Sequence, residues 1–414
     1  MDKVQQEADS LYKKQYGKMI AYLLYHFRDL DIETAEDIVQ DTFSAALTSW
    51  KNETIPANGS AWLFKVSKHK ALNKLKEEKK FQPFSMNEET NPVEIKFSDA
   101  VIDDQQLKLL FACAHPELSP KVQVVITLKY VINLKVEAIA KILGMSIDGI
   151  DKLLVRAKQK IKKEKILLDE PYIDTLQFRL PIVHKIIYLI FNEGYKSSWG
   201  NQLIREELCE DALLMTKELL DNDIGNDETK ALYALMLFNS ARFRSRFSAS
   251  GELLDLEEQD RNAWNKDLEL LGTSFLQQSR NDVVSSYHIE ASIAYLHCTA
   301  ESFAATDWLT ITKLYQKLLN QNPNPFVELN YAIALYYAGE KEKAFTILHT
   351  LHRNAFMHQY YLLNATLGKL YLQEKDHSAA IDFLLTALQQ TNMQVEKAYI
   401  QKLISKAVEE TESL

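Results

Sequence analysis

The sequence is poor in the residues that make turns and β structure. Its 414 residues include 11 glycines and 9 prolines, while 46% of the residues are apolar and 25% are charged. These are globular proportions that leave little material for a turn-rich β fold. A chain of this length exceeds one ordinary hydrophobic core, which suggests roughly two to four domains. The sequence therefore predicts an all-α protein built from several helical modules.

Cysteines and long apolar runs are also scarce. The three cysteines, Cys113, Cys209 and Cys298, lie far apart and outside any CxxC pair, which argues against a disulfide framework or a zinc site. Cys113 and His115 alone make a poor metal site, so we interpret them as core residues. No apolar stretch is long enough to cross a bilayer, and the residues after Met1 lack a signal-peptide core. We expect a cytoplasmic protein with no membrane partner, no metal and no other cofactor.

Signatures of catalysis are missing as well. The sequence has no nucleophile triad pattern, no phosphate-binding glycine loop and no HExxH motif. We therefore do not expect an enzyme.

The net charge of −9 hides an asymmetry along the chain. Residues 1–168 carry 26 Lys+Arg against 23 Asp+Glu, a balance of +3, which leaves 22 against 34, or −12, for residues 169–414. The positive charge is concentrated further in residues 65–80 and 152–165. Local clusters rather than the total decide whether a surface attracts phosphate, so the front part can still bind nucleic acid. Composition divides the chain into helices over residues 1–82, a linker over 83–102, helices over 103–168 and an acidic helical region over 169–414.

An acidic helix is predicted near the front. Thr34 is placed to cap it, with Asp37 three positions later. One face is apolar, and the opposite stripe carries Asp37, Gln40, Asp41 and Ser44 at helical spacing. For an arbitrary helix, a solvated acidic face would be the simplest interpretation.

A basic helix is predicted after a loop over residues 52–59. Leu63, Phe64 and Leu75 can pack inward, whereas one stripe is polar and mostly basic. Such a helix can lie along phosphates and release their counterions. The alternative is a lysine face that only aids solubility. The stripe consists of Lys65, His69, Asn73, Lys76 and Lys80.

A helix-turn-helix is predicted about 100 residues farther on. Its scaffold helix covers about 136–143, Gly144 suits a turn with positive φ, and a second helix covers about 147–163. The outer stripe of the second helix carries Lys152, Arg156, Gln159 and Lys163, and a helix of this kind can enter the major groove. We expect Lys152 and Arg156 to contact DNA, with Lys158, Lys160, Lys162 and Lys163 adding attraction to the backbone. An ordinary amphipathic helix after a tight turn is the alternative.

A weak repeat marks the tail. Small and apolar residues from Ala332 to Leu348 recur from Gly368 to Leu384, at an offset of 368 − 332 = 36. The spacing resembles that of tetratricopeptide (TPR) helix pairs, and an upstream pair around Trp308 can form a third unit. An irregular helical bundle is the alternative.

The acidic helix, the loop and the basic helix together resemble region 2 of the sigma-70 family of RNA polymerase sigma factors, in its extracytoplasmic-function branch. The resemblance implies that Asp37, Gln40 and Asp41 dock on core RNA polymerase and that the loop and basic helix recognise and melt the −10 element of promoter DNA. Extruding a base costs a few kcal/mol, so the loop must supply a pocket. This sequence has Lys68-His69 and Asn73 where the family commonly has Arg-Asn and Asp, which leaves the base preference open. The implied −10 residues are Asn52, Lys65, Lys68, His69, Asn73 and Lys76.

The helix-turn-helix resembles sigma region 4, which implies that Lys152, Arg156, Gln159 and Lys163 contact the −35 element. Residues 109–119 and 189–195 are similar to a subgroup with a fused, TPR-like C-terminal domain. That resemblance implies that the tail modulates activity in cis. A peptide, a small ligand, and regions 2 and 4 of the same molecule are the alternative targets of its concave face. Two other classes compete: a helical-repeat adaptor whose front helices bind protein, and a stand-alone repressor, which needs no polymerase-docking face.

Overall fold

The computed structural model describes residues 3–50, 55–80, 99–164, 166, 168, 173–197 and 204–412. In these residues the chain forms 19 α-helices and two short 3-10 helices, without a β-sheet. The all-α prediction is confirmed. The chain divides into two compact units, residues 1–193 and 194–414.

The first unit holds seven helices and most of an eighth. They are α1 (Lys3–His26), α2 (Ile32–Ser49), α3 (Gly59–Lys80), α4 (Asp99–Cys113), α5 (Pro120–Tyr130), α6 (Val136–Ile142), α7 (Ile147–Glu164) and α8 (Ile173–Tyr195).

Helix α1 is the centre of the first unit, because it packs against α2, α3, α4 and the end of α5. Tyr16, Met19, Ile20 and Leu23 follow one another at helical spacing and are fully buried. Beside them, Gly17 lies against the backbone of Val131: a Cβ added at this glycine would stand 1.8 Å from the Val131 carbonyl oxygen. Only glycine permits this approach of α1 to the end of α5.

The second unit holds the remaining helices. They are α9 (Glu206–Asp221), α10 (Asp227–Ala241), α11 (Lys266–Gln278), α12 (Ser286–Thr299), α13 (Trp308–Gln321), α14 (Pro325–Tyr337), α15 (Lys341–His352), α16 (Ala355–His358), α17 (Tyr361–Gln373), α18 (His377–Gln390) and α19 (Gln394–Glu412), with 3-10 helices at Phe243–Arg246 and Arg261–Ala263.

The repeat seen in the sequence is a repeat of structure. Helices α14 and α15 begin 36 residues before α17 and α18, since 361 − 325 = 36 and 377 − 341 = 36. Ala332 is fully buried, and a Cβ on its counterpart Gly368 would lie 2.6 Å from Cγ of Leu384, so both positions need a small residue where two helices cross. The upstream pair α12 and α13 also packs together, but its helices begin 325 − 286 = 39 and 341 − 308 = 33 residues before α14 and α15. The 36-residue offset is therefore not kept between this upstream pair and α14–α15.

The sequence places Arg242, Arg244 and Arg246 close to Glu252, Asp255 and Glu257, so ion pairs among these residues are possible. The structure gives Arg242 and Arg246 other partners. Instead, Arg242 donates to the Tyr195 hydroxyl at 2.8 Å and Arg246 donates to the Tyr195 carbonyl at 2.5 Å. Asp255 is paired with Lys369, at 2.6 Å, and accepts a hydrogen bond from Tyr399. The sequence could not indicate this, because Lys369 follows 114 positions later.

Candidate functional site

Helix α2 presents the acidic residues, as predicted, on the face opposite the one that packs into the hydrophobic core. Asp37, Gln40 and Asp41 are all exposed. Asp41 approaches Lys70 of α3 at 3.9 Å, and both side chains keep access to solvent. We call Asp37, Gln40 and Asp41 the acidic stripe. The buried face of the helix consists of Ile32, Ala35, Ile38, Val39, Thr42, Phe43 and Ala46.

The start of α2 differs from the prediction. Asp31 is the N-cap, with its carboxylate accepting a hydrogen bond of 2.8 Å from the Thr34 amide. Thr34 lies within the first turn, so its prediction as the cap was wrong by three positions. Both residue types cap helices well, and local sequence alone does not choose between them. Burial alone would raise the pKa of Asp31, but the hydrogen bonds from Thr34 and the charges of Lys162 and Lys158 hold it below its ordinary value.

Helix α3 presents the polar stripe expected of it. Lys65, His69, Asn73 and Lys76 are exposed, and Lys68 is half-buried. The side chain of Lys80 and the whole of Asn52 fall outside the described residues. The inward face of the helix is made by Leu63, Phe64, Ser67 and Ala71.

Aromatic rings and a capping amide fix the start of α3. The rings of Trp50 and Trp62 meet edge to face with centroids 5.4 Å apart. A Cβ at Gly59 would stand 2.7 Å from Leu11 and 3.2 Å from Trp50. Asn58, which the sequence analysis did not single out, accepts a hydrogen bond of 2.9 Å from the Ala61 amide. An Asn two residues after a Pro, just before an apolar run, was the available signal.

The helix-turn-helix has the predicted layout. Helices α6 and α7 flank Gly144, whose φ of 61° lies in the left-handed region. Ile150, Leu154, Ala157 and Ile161 are buried, and all four residues of the predicted DNA-reading stripe are exposed. This reading stripe consists of Lys152, Arg156, Gln159 and Lys163.

Local geometry explains why a glycine, Gly149, stands at the start of α7. Its amide donates to Ser146 Oγ at 3.1 Å, which caps the helix. A Cβ at this position would stand 3.0 Å from the same oxygen, so a larger residue would crowd the cap. One turn later, Lys152 pairs with Asp148 at 2.7 Å, with both side chains mostly exposed. An exposed pair of this kind is worth about 0.2–1 kcal/mol, so Lys152 can exchange it for a phosphate or a base.

Three lysines expected to attract the DNA backbone are engaged within the protein. Lys158 pairs with Glu33 at 3.0 Å and Lys162 approaches Asp31 at 3.8 Å. Lys160 donates to the Glu117 carbonyl at 2.5 Å. The reading stripe of α7 is therefore exposed to solvent, whereas the lysines on its flank contact other parts of the protein.

The described residues contain no group of three or more side chains able to hold a metal ion. Cys113 is fully buried, and burial raises the pKa of its thiol to about 12, against a smaller lowering by Thr127. His115 accepts a hydrogen bond of 3.3 Å from the Glu117 amide. Among the same residues, no helix is both long and apolar enough to span a membrane.

Three family models match the chain. Residues 12–81 match sigma-70 region 2, residues 108–161 match sigma-70 region 4, and residues 179–280 match a family of unknown function, DUF6596. The first match covers α2 and α3 in full, and the second covers α7 as far as residue 161, which leaves Lys163 of the reading stripe outside it.

Two relatives match the chain over different lengths. A protein of Rhizobium meliloti (strain 1021), "Uncharacterized protein R00370", is 31% identical over 347 residues, which are 82% of each chain. The "RNA polymerase sigma factor YlaC" of Bacillus subtilis (strain 168) is 26% identical over 163 residues, which are 37% of this chain and 90% of that protein. No solved structure matches the chain.

Proposed function

We propose that this chain, which belongs to the sigma-70 family of RNA polymerase sigma factors, is of the extracytoplasmic-function type and carries its own regulatory domain. As a sigma factor it interacts with core RNA polymerase and promoter DNA. The finer proposal rests on the order of these elements along the chain. The acidic stripe and the basic helix come first, the DNA-reading helix α7 follows, and a separate helical unit makes up the C-terminal part. No catalytic residue is assigned.

The acidic stripe is the part we assign to polymerase. Asp37, Gln40 and Asp41 stand on successive turns of α2 and are exposed, so one surface can receive them together. Since two of the three are carboxylates, we expect a basic surface as their partner and an association that weakens with salt.

The basic face of α3 is the part we assign to the −10 element. Its exposed lysines track one side of the helix and can follow a phosphate backbone. Trp62, close to the end of the preceding loop, is half-buried, so its ring can support an extruded base by stacking. The assigned residues remain Asn52, Lys65, Lys68, His69, Asn73 and Lys76.

The reading stripe of α7 is assigned to the −35 element. Lys152, Arg156, Gln159 and Lys163 share one exposed face, which is the geometry of a helix that enters a major groove. We retain residues 1–82, 83–102, 103–168 and 169–414 as the functional boundaries.

The second unit is assigned to regulation in cis. Its helix pairs repeat at an offset of 36 with small residues at the crossings, which supports a TPR-like stack. Such stacks bind peptides or other helices, and we propose regions 2 and 4 of the same chain as the target.

Polymerase binding by the acidic stripe is tested with a charge-reversing variant. The double variant Asp37→Arg, Gln40→Ala should lose most of its affinity for core polymerase, and promoter-dependent initiation with it. Its matched control is Asp9→Arg, Gln6→Ala, the same change at exposed positions of α1. Equal binding by the two double variants would remove the docking role from α2.

A further inference from the structure

In the second unit, residues 247–263 form a segment with a buried residue at each end. Arg246 is buried and donates to the Tyr195 carbonyl at 2.5 Å. Trp264 is buried at the other end, and the guanidinium of Arg261 lies 4.8 Å from its ring centroid. None of the residues between these two ends is buried. We call residues 247–263 the strap. Because so little of it is buried, the strap can leave its contacts without unfolding the helices around it.

Two carboxylates of the strap hold a lysine of α17. Asp255 Oδ2 lies 2.6 Å from Lys369 Nζ and accepts a hydrogen bond of 2.5 Å from the Tyr399 hydroxyl of α19. Glu257 lies 3.4 Å from the same lysine, whose side chain is only 22% exposed. Burial alone would lower the pKa of Lys369, but the charge of Asp255 holds it above its ordinary value. A largely buried charge without a partner is costly, so another anion must replace the strap when it leaves.

A local turn presents the acidic residues of the strap. The Glu258 amide donates to the Asp255 carbonyl at 2.9 Å, and the Asp255 amide donates to Glu258 Oε2 at 3.1 Å. The other carboxylate oxygen of Glu258 lies 3.0 Å from Lys402 Nζ of α19. The bond from the Asp255 amide to a Glu three positions later is that of a capping box, which sequence-local residues form by themselves. A short peptide with Asp and Glu three positions apart can therefore adopt the same turn.

A cavity of about 270 Å³ remains beside Leu256 of the strap. Its apolar wall contains the rings of Phe303, Trp308 and Tyr337, whose centroids lie 4.8 to 5.0 Å from one another. His297 lines the same cavity, and its Nδ1 is buried without a hydrogen-bond partner. Leu256 lines this cavity without filling it. A larger apolar side chain at the place of Leu256 would therefore bury more surface.

The strap lies on a face that successive helix pairs build together. Helices α12, α14 and α17 each begin a pair, and the pairs pack one after another. All three helices line the cavity beside the strap, with Asn330 and Ile333 from α14 and Thr366 and Leu370 from α17. Stacked helix pairs bind extended peptides on such faces. The strap therefore occupies, in this chain, the place that a bound peptide would take.

We propose that this face of the second unit is a docking site for an acidic segment of a partner protein, and that the strap fills the site until such a segment replaces it. The segment carries Asp and Glu three positions apart, which take Lys369 and Lys402 from the strap. An apolar residue larger than leucine follows the Asp and enters the cavity. The site is independent of the sigma-factor assignment and of regulation in cis, since all its residues belong to the second unit.

The docking site is tested with a fluorescent synthetic peptide that has the sequence of residues 252–260. Its binding to the full-length chain is measured by anisotropy at low salt. A tethered strap competes at an effective concentration on the order of 1 mM, so the wild type should bind the free peptide weakly. The strap variant Asp255→Asn, Glu257→Gln, Glu258→Gln keeps size and removes the three charges. It should bind the peptide at least about 10-fold more tightly, because more of the chain has a free site.

The matched control removes three exposed carboxylates from other parts of the second unit. It carries Asp282→Asn, Glu301→Gln and Glu342→Gln and should bind the peptide as weakly as the wild type. A milder variant, Glu258→Gln alone, loses only the exposed pair with Lys402. It should bind roughly 1.5- to 5-fold more tightly than the wild type, and it tests the strap even when the triple variant does not fold.

Two further changes identify the groups that hold the peptide. Lys369→Met, added to the strap variant, keeps the packed stem and removes the charge, so binding should weaken by roughly 10- to 150-fold. Lys343→Met, on an exposed position of α15, should leave binding unchanged. A peptide with Leu256→Trp should bind at least roughly 4-fold more tightly, which is the effect of one further buried methylene group.

The contradicting results are equally specific. Equal peptide binding by the strap variant and its control would overturn the docking site, and so would binding that survives Lys369→Met. A neutral peptide, with Asn and Gln in place of its acidic residues, should not bind, and equal binding of the two peptides would exclude recognition of carboxylates. Displacement of the acidic peptide by a DNA oligonucleotide at equal concentration would overturn the proposal in favour of a phosphate-binding surface.

Discussion

Gly339 and Lys375 stand 36 positions apart and both adopt left-handed backbone, with φ of 94° and 62°. Each residue ends the turn between the two helices of a repeat, α14–α15 or α17–α18. Glycine adopts this conformation without strain, whereas a residue with a Cβ does not. The two turns therefore share one geometry, and only one of them has the residue that suits it.

The mismatch predicts opposite effects of substitution. Gly339→Ala should destabilise the protein by about 1 kcal/mol, because alanine is strained at this φ and nothing nearby compensates. Lys375→Gly should be neutral or stabilise by a few tenths of a kcal/mol, since relief of strain is partly offset by the greater freedom of glycine in the unfolded chain. Urea unfolding of the two variants measures both effects. A stabilising Gly339→Ala would contradict the equivalence of the turns.

A pH dependence is expected from His297. Burial, together with the charges of Arg242 and Arg261, lowers the pKa of His297 to about 3, and its Nδ1 is buried without a hydrogen-bond partner. The unfolded chain takes up this proton near pH 6.5, so the contribution of the neutral ring is present above that pH and is lost as the pH falls toward 3. The loss is up to about 1.4 kcal/mol per pH unit.

His297→Phe isolates this contribution, because a phenyl ring keeps the contact with Trp308, whose centroid lies 5.3 Å from that of His297. Between pH 7 and pH 5, the free energy of unfolding should fall less steeply for the variant than for the wild type. Parallel curves would show that His297 is protonated equally in both states.

The DNA-reading role of α7 predicts a loss of upstream protection. Lys152→Ala with Arg156→Ala should weaken footprinting over the −35 element, since a base contact is worth about 1–3 kcal/mol. The paired control is Lys121→Ala with Lys141→Ala, which removes two exposed lysines from α5 and α6. Protection that is unaltered in the α7 variant, or weakened equally in the control, would exclude Lys152 and Arg156 from the contact.

Regulation in cis predicts that removal of the second unit changes initiation. A chain that ends at Glu193 keeps the whole of the first unit, so its promoter-dependent transcription with core polymerase can be compared directly with that of the full chain. We expect a change in rate or in promoter preference. Identical transcription by the two chains would show that the second unit does not regulate initiation.

Local patterns in the sequence were sufficient for the parts of the fold that local forces determine. The exposed stripe of Lys152, Arg156 and Gln159 could be predicted from the helical period. The turn at Gly144 could be predicted because glycine adopts a positive φ without strain. The 36-residue repeat followed from small residues, since Ala332 and Gly368 mark helix crossings.

Long-range pairing could not be predicted in the same way. Glu33 and Lys158 are 125 positions apart, and neither differs in type from the exposed charges around it. The close approach of Gly17 to Val131 could not be predicted either, because a glycine within a helix does not indicate which segment of the chain packs against it. Even the cap of α2 was misplaced, since Asp31 and Thr34 are both good caps and tertiary context chose between them.

Transcription from a promoter library tests the central claim most directly. The full-length chain is mixed with core polymerase at low ionic strength, and transcript 5′ ends are mapped. We predict co-elution with core polymerase and transcripts that begin at fixed positions downstream of shared −35 and −10 sequences. A chain that neither co-elutes with core polymerase nor directs such transcripts, with its second unit present or removed, would contradict the account.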